Sequence, residues 1–210
     1  MPVRGVLLCD PNNPSSTRLN ADDLDHLLAR FAGLVIVDET YVEFGSRPSH
    51  RHRTGEHPNL IVLRSLSKGF AMAGLRLGAV LADPVVVAAI RKAQAPFPVP
   101  GPVIERAVDE LADPSVLRRR IDAFVEERDR LAAGLSRCPR VRRVFADAGF
   151  VTVEVEDLAG VVAALRLARI DTVVNPEGWQ AHLRISVGTP EENALLLTAL
   201  NGSHPTRTRT

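Results

Sequence analysis

Four short apolar runs that do not alternate constrain this chain most. They are Val6-Leu7-Leu8-Cys9, Leu34-Val35-Ile36-Val37, Leu60-Ile61-Val62-Leu63 and Gly78-Ala79-Val80-Leu81. A strand with one wet face alternates apolar and polar residues. A run that is apolar at every position fits a strand in a parallel or mixed sheet covered on both faces by helices. Punctuation supports strands: Asp10-Pro11-Asn12-Asn13-Pro14 closes the first run, Asp38-Glu39 the second and Asp83-Pro84 the fourth. Between the first two, Asn20-Ala21-Asp22-Asp23 caps a helix whose apolar positions are Leu24, Leu27, Leu28 and Phe31, and Gly33 stops it. Residues 45–59, rich in His, Arg and Pro, read as a polar loop.

Beyond Pro84 the pattern changes. Helices are expected over 85–94, 102–111 and 114–137, with Pro96, Pro98, Pro100 and Pro102 making a stiff extended link. Strands are expected at 151–155, 172–174 and 182–187, with helices over 158–168 and 190–200. The expected domains are therefore an α/β cofactor-binding part over 1–95, interdomain helices over 96–137 and a small α+β part over 138–201. A disordered tail is expected over 202–210.

The chain has 210 residues, 45% of them hydrophobic, enough for a packed core. Lys and Arg number 26 and Asp and Glu 25, so no global field draws nucleic acid or an anionic membrane. No apolar run reaches the roughly 18 residues of a membrane span, and Met1 opens no secretory signal. Cys9 and Cys138 make no disulfide or metal framework. These features indicate a soluble, cytoplasmic protein without nucleic-acid or membrane partners. Arg118-Arg119-Arg120 reads as a solvated helix face balanced by Glu126, Glu127 and Asp129. His50, His52 and His57 lack a second ligand cluster, so the metal reading is set aside. Gly69, Gly74 and Gly78 have the wrong spacing for a dinucleotide loop. Trp179 reads as packing for the small domain or as a lining of a substrate mouth.

The chemistry gathers at strand ends, where open α/β sheets bind ligands. Asn13 follows the first strand. Asp38 ends the second, with Tyr41 three residues on. Ser65, Ser67 and Lys68 follow the third, and Arg76 lies eight residues beyond Lys68. A lysine, an aspartate, an asparagine, a tyrosine, an arginine and two serines are thus expected at one edge.

These segments resemble the fold type I pyridoxal-phosphate enzymes, the aspartate aminotransferase superfamily, and within it the histidinol-phosphate aminotransferase family. The resemblance rests on Pro11-Asn12-Asn13-Pro14-Ser15-Ser16-Thr17, Val37-Asp38-Glu39-Thr40-Tyr41-Val42-Glu43-Phe44, Leu63-Arg64-Ser65-Leu66-Ser67-Lys68, Ala73-Gly74-Leu75-Arg76-Leu77-Gly78 and Leu183-Arg184-Ile185-Ser186-Val187-Gly188. It implies a fragment of the large domain with a mostly parallel sheet, plus the small C-terminal domain. It implies pyridoxal 5'-phosphate as cofactor, with Lys68 as the Schiff-base amine and proton carrier and Asp38 holding the pyridine nitrogen protonated. Tyr41 and Asn13 would bond the ring oxygen. Ser65, Ser67 and Arg76 would hold the phosphate, and Arg184 would clamp the substrate carboxylate. The implied reaction exchanges an amino group between an amino acid or amino-alcohol phosphate and a 2-oxo acid, in a homodimer when the protein is complete.

The sequence departs from the family in three places. The N-terminal part of the family pattern is missing, including its phosphate loop and the ring stacked on the cofactor. Asn175 stands where the family carries the arginine that binds the substrate phosphate. Asn13-Pro14-Ser15-Ser16 replaces the usual Asn-Pro-Thr-Gly, so a turn glycine is lost. Two alternatives stay open: a decarboxylase of the threonine-phosphate type, and an inactive remnant or interaction subunit.

Overall fold

The computed structural model describes residues 3–202, with the backbone alone at Glu177. The tail expected over 202–210 lies outside the described residues except for Gly202. The chain divides into two compact units. The first runs up to Asn12 and resumes over Arg18–Ile121; the second takes Asn13–Thr17 and the chain from Asp122 onward.

The first unit holds β1 (Gly5–Cys9), α1 (Ala21–Arg30), β2 (Leu34–Asp38), β3 (Leu60–Ser65), β4 (Gly78–Ala82), α2 (Pro84–Ala93), α3 (Gly101–Leu111) and the start of α4 (Pro114–Ser136). Its sheet has the order β1-β2-β3-β4. The first three strands are parallel and β4 runs antiparallel to β3. The Asn20 side chain caps α1 by accepting from the amides of Asp22 (2.8 Å) and Asp23 (3.4 Å), and both acidic residues sit where the helix dipole favours them. Leu24 and Leu28 then pack on Val35, Val37, Leu60 and Val62. Gly33 lets the chain pass Arg4 closely, since a β-carbon there would lie 2.3 Å from the Arg4 carbonyl oxygen.

Equal cover on both faces, expected from the apolar runs, is not seen: the buried cluster lies on the α1 face, burial alternates along β2 with Val35 and Val37 buried and Leu34 and Ile36 less so, and the margins are open. Leu7 on β1 is 65% exposed and Val80 on β4 is 41% exposed, and α2 buries none of its residues. The polar stretch 45–59 is also more ordered than expected. It folds into a 3-10 helix over His50–Gly55, capped when Ser49 Oγ accepts from the Arg51 amide (3.1 Å).

The second unit holds the rest of α4, β5 (Val141–Phe145), β6 (Phe150–Val155), α5 (Leu158–Leu167), β7 (Val173–Val174), β8 (His182–Ser186) and α6 (Pro190–Leu200). Its sheet, β5-β6-β8-β7, is antiparallel throughout. Val151, Val153, Val155, Leu183 and Ile185 from the sheet meet Leu131, Leu135, Val161, Leu165, Leu196 and Leu200 from the helices in one buried cluster. Strand β5 escapes hydropathy reading because Arg142 and Arg143 interrupt it. Both are exposed on this edge strand, and Arg142 meets Glu156 at 3.3 Å. Thr189 and Glu192 form a capping box at the start of α6. Arg118, Arg119 and Arg120 are solvated as expected, but their partners differ. Arg119 donates to Ser115 (3.0 Å) and Arg120 lies 3.8 Å from Glu110, while Glu127 pairs with Arg130 and Asp129 with Arg128. No helix among the described residues is long and apolar enough to cross a membrane.

Candidate functional site

In the first unit, the turn after β3 presents Lys68. Ser65 Oγ accepts from the Ser67 amide (3.1 Å), the Ala71 amide donates to the Lys68 carbonyl (2.9 Å), and the Met72 amide to the Leu66 carbonyl (3.0 Å). These bonds fix the backbone and leave the Lys68 side chain exposed, with Nζ 6.0 Å from the Tyr41 ring centroid. Among the described residues no carboxylate forms an ion pair with Lys68. Asp38 is half-buried beside Cys9 and Leu63 in register. Its Oδ1 takes both bonds from Thr40, amide (2.9 Å) and hydroxyl (2.6 Å), so Oδ2 is the oxygen outside that turn. Arg76 adopts a left-handed backbone (φ 51°), is exposed, and donates through Nη1 to the Ala73 carbonyl (2.9 Å).

A buried polar network beneath these strand ends was not foreseen. Asp10, fully buried, accepts from Arg18 through both carboxylate oxygens (2.7 and 2.9 Å), from the Leu19 amide (3.0 Å) and sits 2.8 Å from His50 Nε2. Burial pushes the Asp10 carboxyl up, but the bonds from His50, Arg18 and Leu19, with the Arg18 charge, outweigh it and hold the group well below the usual carboxylate range. Glu39, also fully buried, accepts from Ser49 Oγ and the His50 amide. Arg64 spans the network, bonding Glu43 and Ser49 and lying 3.8 Å from Glu39. Burial raises the Glu43 carboxyl above its ordinary value; Arg64 opposes this and Glu39 adds to it. The Glu43 side chain also backs the lysine turn, since a β-carbon on Gly69 would lie 2.6 Å from Glu43 Cβ. The available signal is Asp10 directly after the first apolar run, Glu39 two positions after the second and Arg64 directly after the third, each needing a partner once buried. His50, set aside as a metal ligand, serves Asp10.

The second unit carries the remaining expected residues. Asn13 Oδ1 accepts from Arg184 Nη1 (2.8 Å), and the Arg184 guanidinium lies 5.2 Å from the Phe150 ring centroid. Asn13 lies in the compact unit that carries Arg184. Ser16, where the family glycine is lost, is left-handed (φ 55°) and 1% exposed. Asn175 is left-handed too (φ 46°), its amide donates to the His182 carbonyl (2.8 Å), and its Oδ1 is buried without a hydrogen-bond partner. Trp179 is 40% exposed and meets His182 edge-on at 5.0 Å, so it is not part of the small unit's core. Among the described residues there is no group of three or more side chains suited to a metal.

A two-layer α/β unit with a lysine turn after a central strand, joined to a small α+β unit, defines a class that the comparisons identify. Residues 1–200 match the family model of aminotransferases of class I and II, and the chain belongs to that family, whose histidinol-phosphate branch depends on pyridoxal phosphate. It is 40% identical over 204 residues to the histidinol-phosphate aminotransferase of Stenotrophomonas maltophilia (strain R551-3), covering 93% of this chain and 56% of that protein. The structure superposes on the histidinol-phosphate aminotransferase of Clostridium acetobutylicum with a TM-score of 0.84 at 25% identity, covering 95% of this chain and 64% of that one. It also superposes on a decarboxylase from Sulfurospirillum multivorans, with a TM-score of 0.79 at 26% identity over 95% of this chain and 61% of that one. The chain thus spans a little over half the length of the relatives it matches.

Proposed function

We propose that this chain carries the lysine-bearing part of a pyridoxal-phosphate aminotransferase that moves an amino group between an amino acid or amino-alcohol phosphate and a 2-oxo acid. The observation that carries the reading is the set of polar groups at the neighbouring ends of the parallel strands β2 and β3. Lys68 has no carboxylate partner among the described residues, Asp38 keeps Oδ2 outside its Thr40 turn, and the Ser65 hydroxyl accepts from Ser67 and keeps its proton to donate. That set suits a cofactor with an aldehyde, a ring nitrogen and a phosphate. When bound, pyridoxal phosphate supplies an aldehyde that couples to amines and a ring that withdraws electrons from the substrate Cα.

The chain's own groups then have defined tasks. Lys68 Nζ would hold the cofactor through its aldehyde carbon, with water lost as the carbon–nitrogen bond forms, and as a free amine it would carry the proton of the substrate Cα. Asp38 holds a proton on the ring nitrogen. Tyr41 Oη would donate to the ring oxygen, and in the second unit Asn13 keeps its amide NH2, the end not used by Arg184, as a donor beside that guanidinium. Ser65, Ser67 and the free edge of Arg76 bind phosphate, and Arg184 binds the substrate carboxylate with a planar fork. Asn175 offers no cation, so a substrate phosphate finds no fork at this position. We expect the preference for a phosphorylated donor to be lower by about 10- to 150-fold than a charged hydrogen bond there would give. For a protein of the relatives' full length, the reading extends to a cytoplasmic homodimer.

The decisive experiment is borohydride reduction of the 210-residue chain with pyridoxal phosphate. A mass gain mapping to Lys68 and absent from Lys68→Ala is expected; equal labelling of both would overturn the assignment. The likeness to a decarboxylase supports a second reading, in which the same residues release carbon dioxide. A 2-oxo acid product selects transfer, and carbon dioxide selects decarboxylation.

A further inference from the structure

Ser16 is a buried residue in a backbone conformation that ordinarily suits glycine, and its side chain is fully used. Its hydroxyl donates to the Phe150 carbonyl (2.9 Å) and accepts from the Ala148 amide (2.8 Å), while its own carbonyl accepts from the Asp147 amide (2.9 Å). Two residues earlier, the Pro14 carbonyl accepts from Thr152 Oγ1 (2.5 Å). Four bonds thus lash the short segment Asn13–Thr17 to the start of β6 and the turn before it. The same segment bears Asn13, whose amide oxygen holds Arg184 at 2.8 Å, and β6 bears Phe150, over whose ring that guanidinium lies. Arg184 and Thr152 face each other in register across β8 and β6. A guanidinium on a flexible stem binds a carboxylate with a defined fork only if something fixes its plane. Here one fixing group, Asn13, lies on the anchored segment, and the other, Phe150, lies on the strand that anchors it.

We propose that Ser16 is a positioning residue for Arg184: its hydroxyl fixes the 13–17 segment on β6, and the segment fixes the guanidinium through Asn13. The hydroxyl supplies what a glycine at this position cannot, an acceptor for the Ala148 amide and a donor for the Phe150 carbonyl. The left-handed backbone at Ser16 is the strained feature that these two bonds hold in place. The proposal rests on the reading of Arg184 as the carboxylate-binding group, but its first readout does not depend on that reading.

The test is NMR on the full 210-residue chain. Ring-current shift from Phe150 and slowed exchange should single out the Arg184 side-chain N–H signals, assigned by their loss in Arg184→Lys. In Ser16→Gly, which suits the left-handed backbone and lacks the hydroxyl, those signals should move to solvent-like positions. The Ala148 amide should exchange at least about tenfold faster, the factor expected for one lost hydrogen bond. Ser16→Ala should do the same if it folds; Ser16→Gly decides if it does not. Unchanged Arg184 signals in a folded Ser16→Gly chain would overturn the proposal, as would an effect in Ser16→Ala that Ser16→Gly lacks, because backbone strain and not the hydroxyl would then be the cause. In a separate titration with 2-oxoglutarate, an unchanged affinity in Arg184→Lys would sink the carboxylate reading alone and leave the NMR result standing.

Discussion

The interiors of the two units rest on different physics. The second unit closes an apolar core between an antiparallel sheet and three helices, with Val151, Val153, Leu183 and Leu200 fully buried. The first has a smaller apolar cluster, open flanks at β1 and β4, and a buried ionic network under the strand ends that bear Asp38, Tyr41 and Lys68. An apolar core is tolerant of direction, whereas hydrogen-bonded ions fix orientation. The division of labour follows: in the first unit a buried ionic network aims the loops, and in the second an apolar core carries the sheet while the neutral hydrogen bonds of Ser16 and Thr152 hold the pair Asn13 and Arg184.

The sharpest way to break this comparison is at Asp10. Asp10→Asn leaves the Arg18 guanidinium buried without its counter-charge, which costs about 3–5 kcal/mol. Denaturant melts should show the loss in the first unit's transition only. The pH dependence follows the same contrast. The folded Asp10 carboxyl is depressed, so its contribution is present above the unfolded carboxylate pKa and is lost as pH falls through the folded value. Glu43 has the opposite sign: its folded carboxyl is raised, so stability is full below the unfolded pKa and declines as pH rises through the folded value. Glu43→Gln should flatten that decline; an unchanged pH profile would show that Glu43 is not the group responsible.

Core truncations test the apolar side. Leu183→Ala and Leu60→Ala both remove fully buried leucines, in the second and first units respectively. Each should cost about 2–5 kcal/mol, with Leu60→Ala at the low end, because the open flanks of the first sheet let its surroundings relax into the space. Equal losses would mean that the exposed margins do not soften the first unit. At Gly69, a β-carbon would press on Glu43 Cβ and Cγ at 2.6 and 2.7 Å. Gly69→Ala should cost about 1–3 kcal/mol and lower borohydride labelling at Lys68; unchanged labelling would show that the Glu43 contact does not set the lysine turn.

Much of this was legible in the chain. The strands β1 to β4 and their mixed sheet follow from unalternating apolar runs, and the α6 start follows from Thr189-Pro190-Glu191-Glu192. The lysine turn was legible because Lys68 sits at a fixed distance from the end of an apolar run. What stayed hidden depends on contacts between distant residues. Strand β5 is hidden by Arg142 and Arg143, which an edge position tolerates. The Asp10–Arg18–His50 set joins residues up to 40 positions apart. The two bonds of Ser16 to Ala148 and Phe150 cross more than 130 positions, so local pattern shows only a missing glycine.

The smallest contrast lies at two helix caps, one in each unit. Asn20 caps α1 alone, its oxygen shared between the Asp22 and Asp23 amides, one bond short and one long at 2.8 and 3.4 Å. Thr189 caps α6 as half of a reciprocal box: its hydroxyl accepts from the Glu192 amide (3.3 Å), and Glu192 accepts from the Thr189 amide (2.8 Å). Substituting a capping residue by alanine costs about 0.5–2 kcal/mol. Thr189→Ala removes only one direction of the box, because the Thr189 amide still reaches Glu192. Asn20→Ala removes every side-chain bond at its helix start and leaves the acidic residues at 22 and 23 to serve the dipole alone. The expected order is therefore a loss of about 1 kcal/mol for Asn20→Ala in the first unit and about half that for Thr189→Ala in the second, read from hydrogen exchange in the first turn of each helix. Reversal of that order would mean that α6, which also packs Leu196 and Leu200 into the closed core, transmits a frayed end into the whole unit, whereas α1 absorbs it locally.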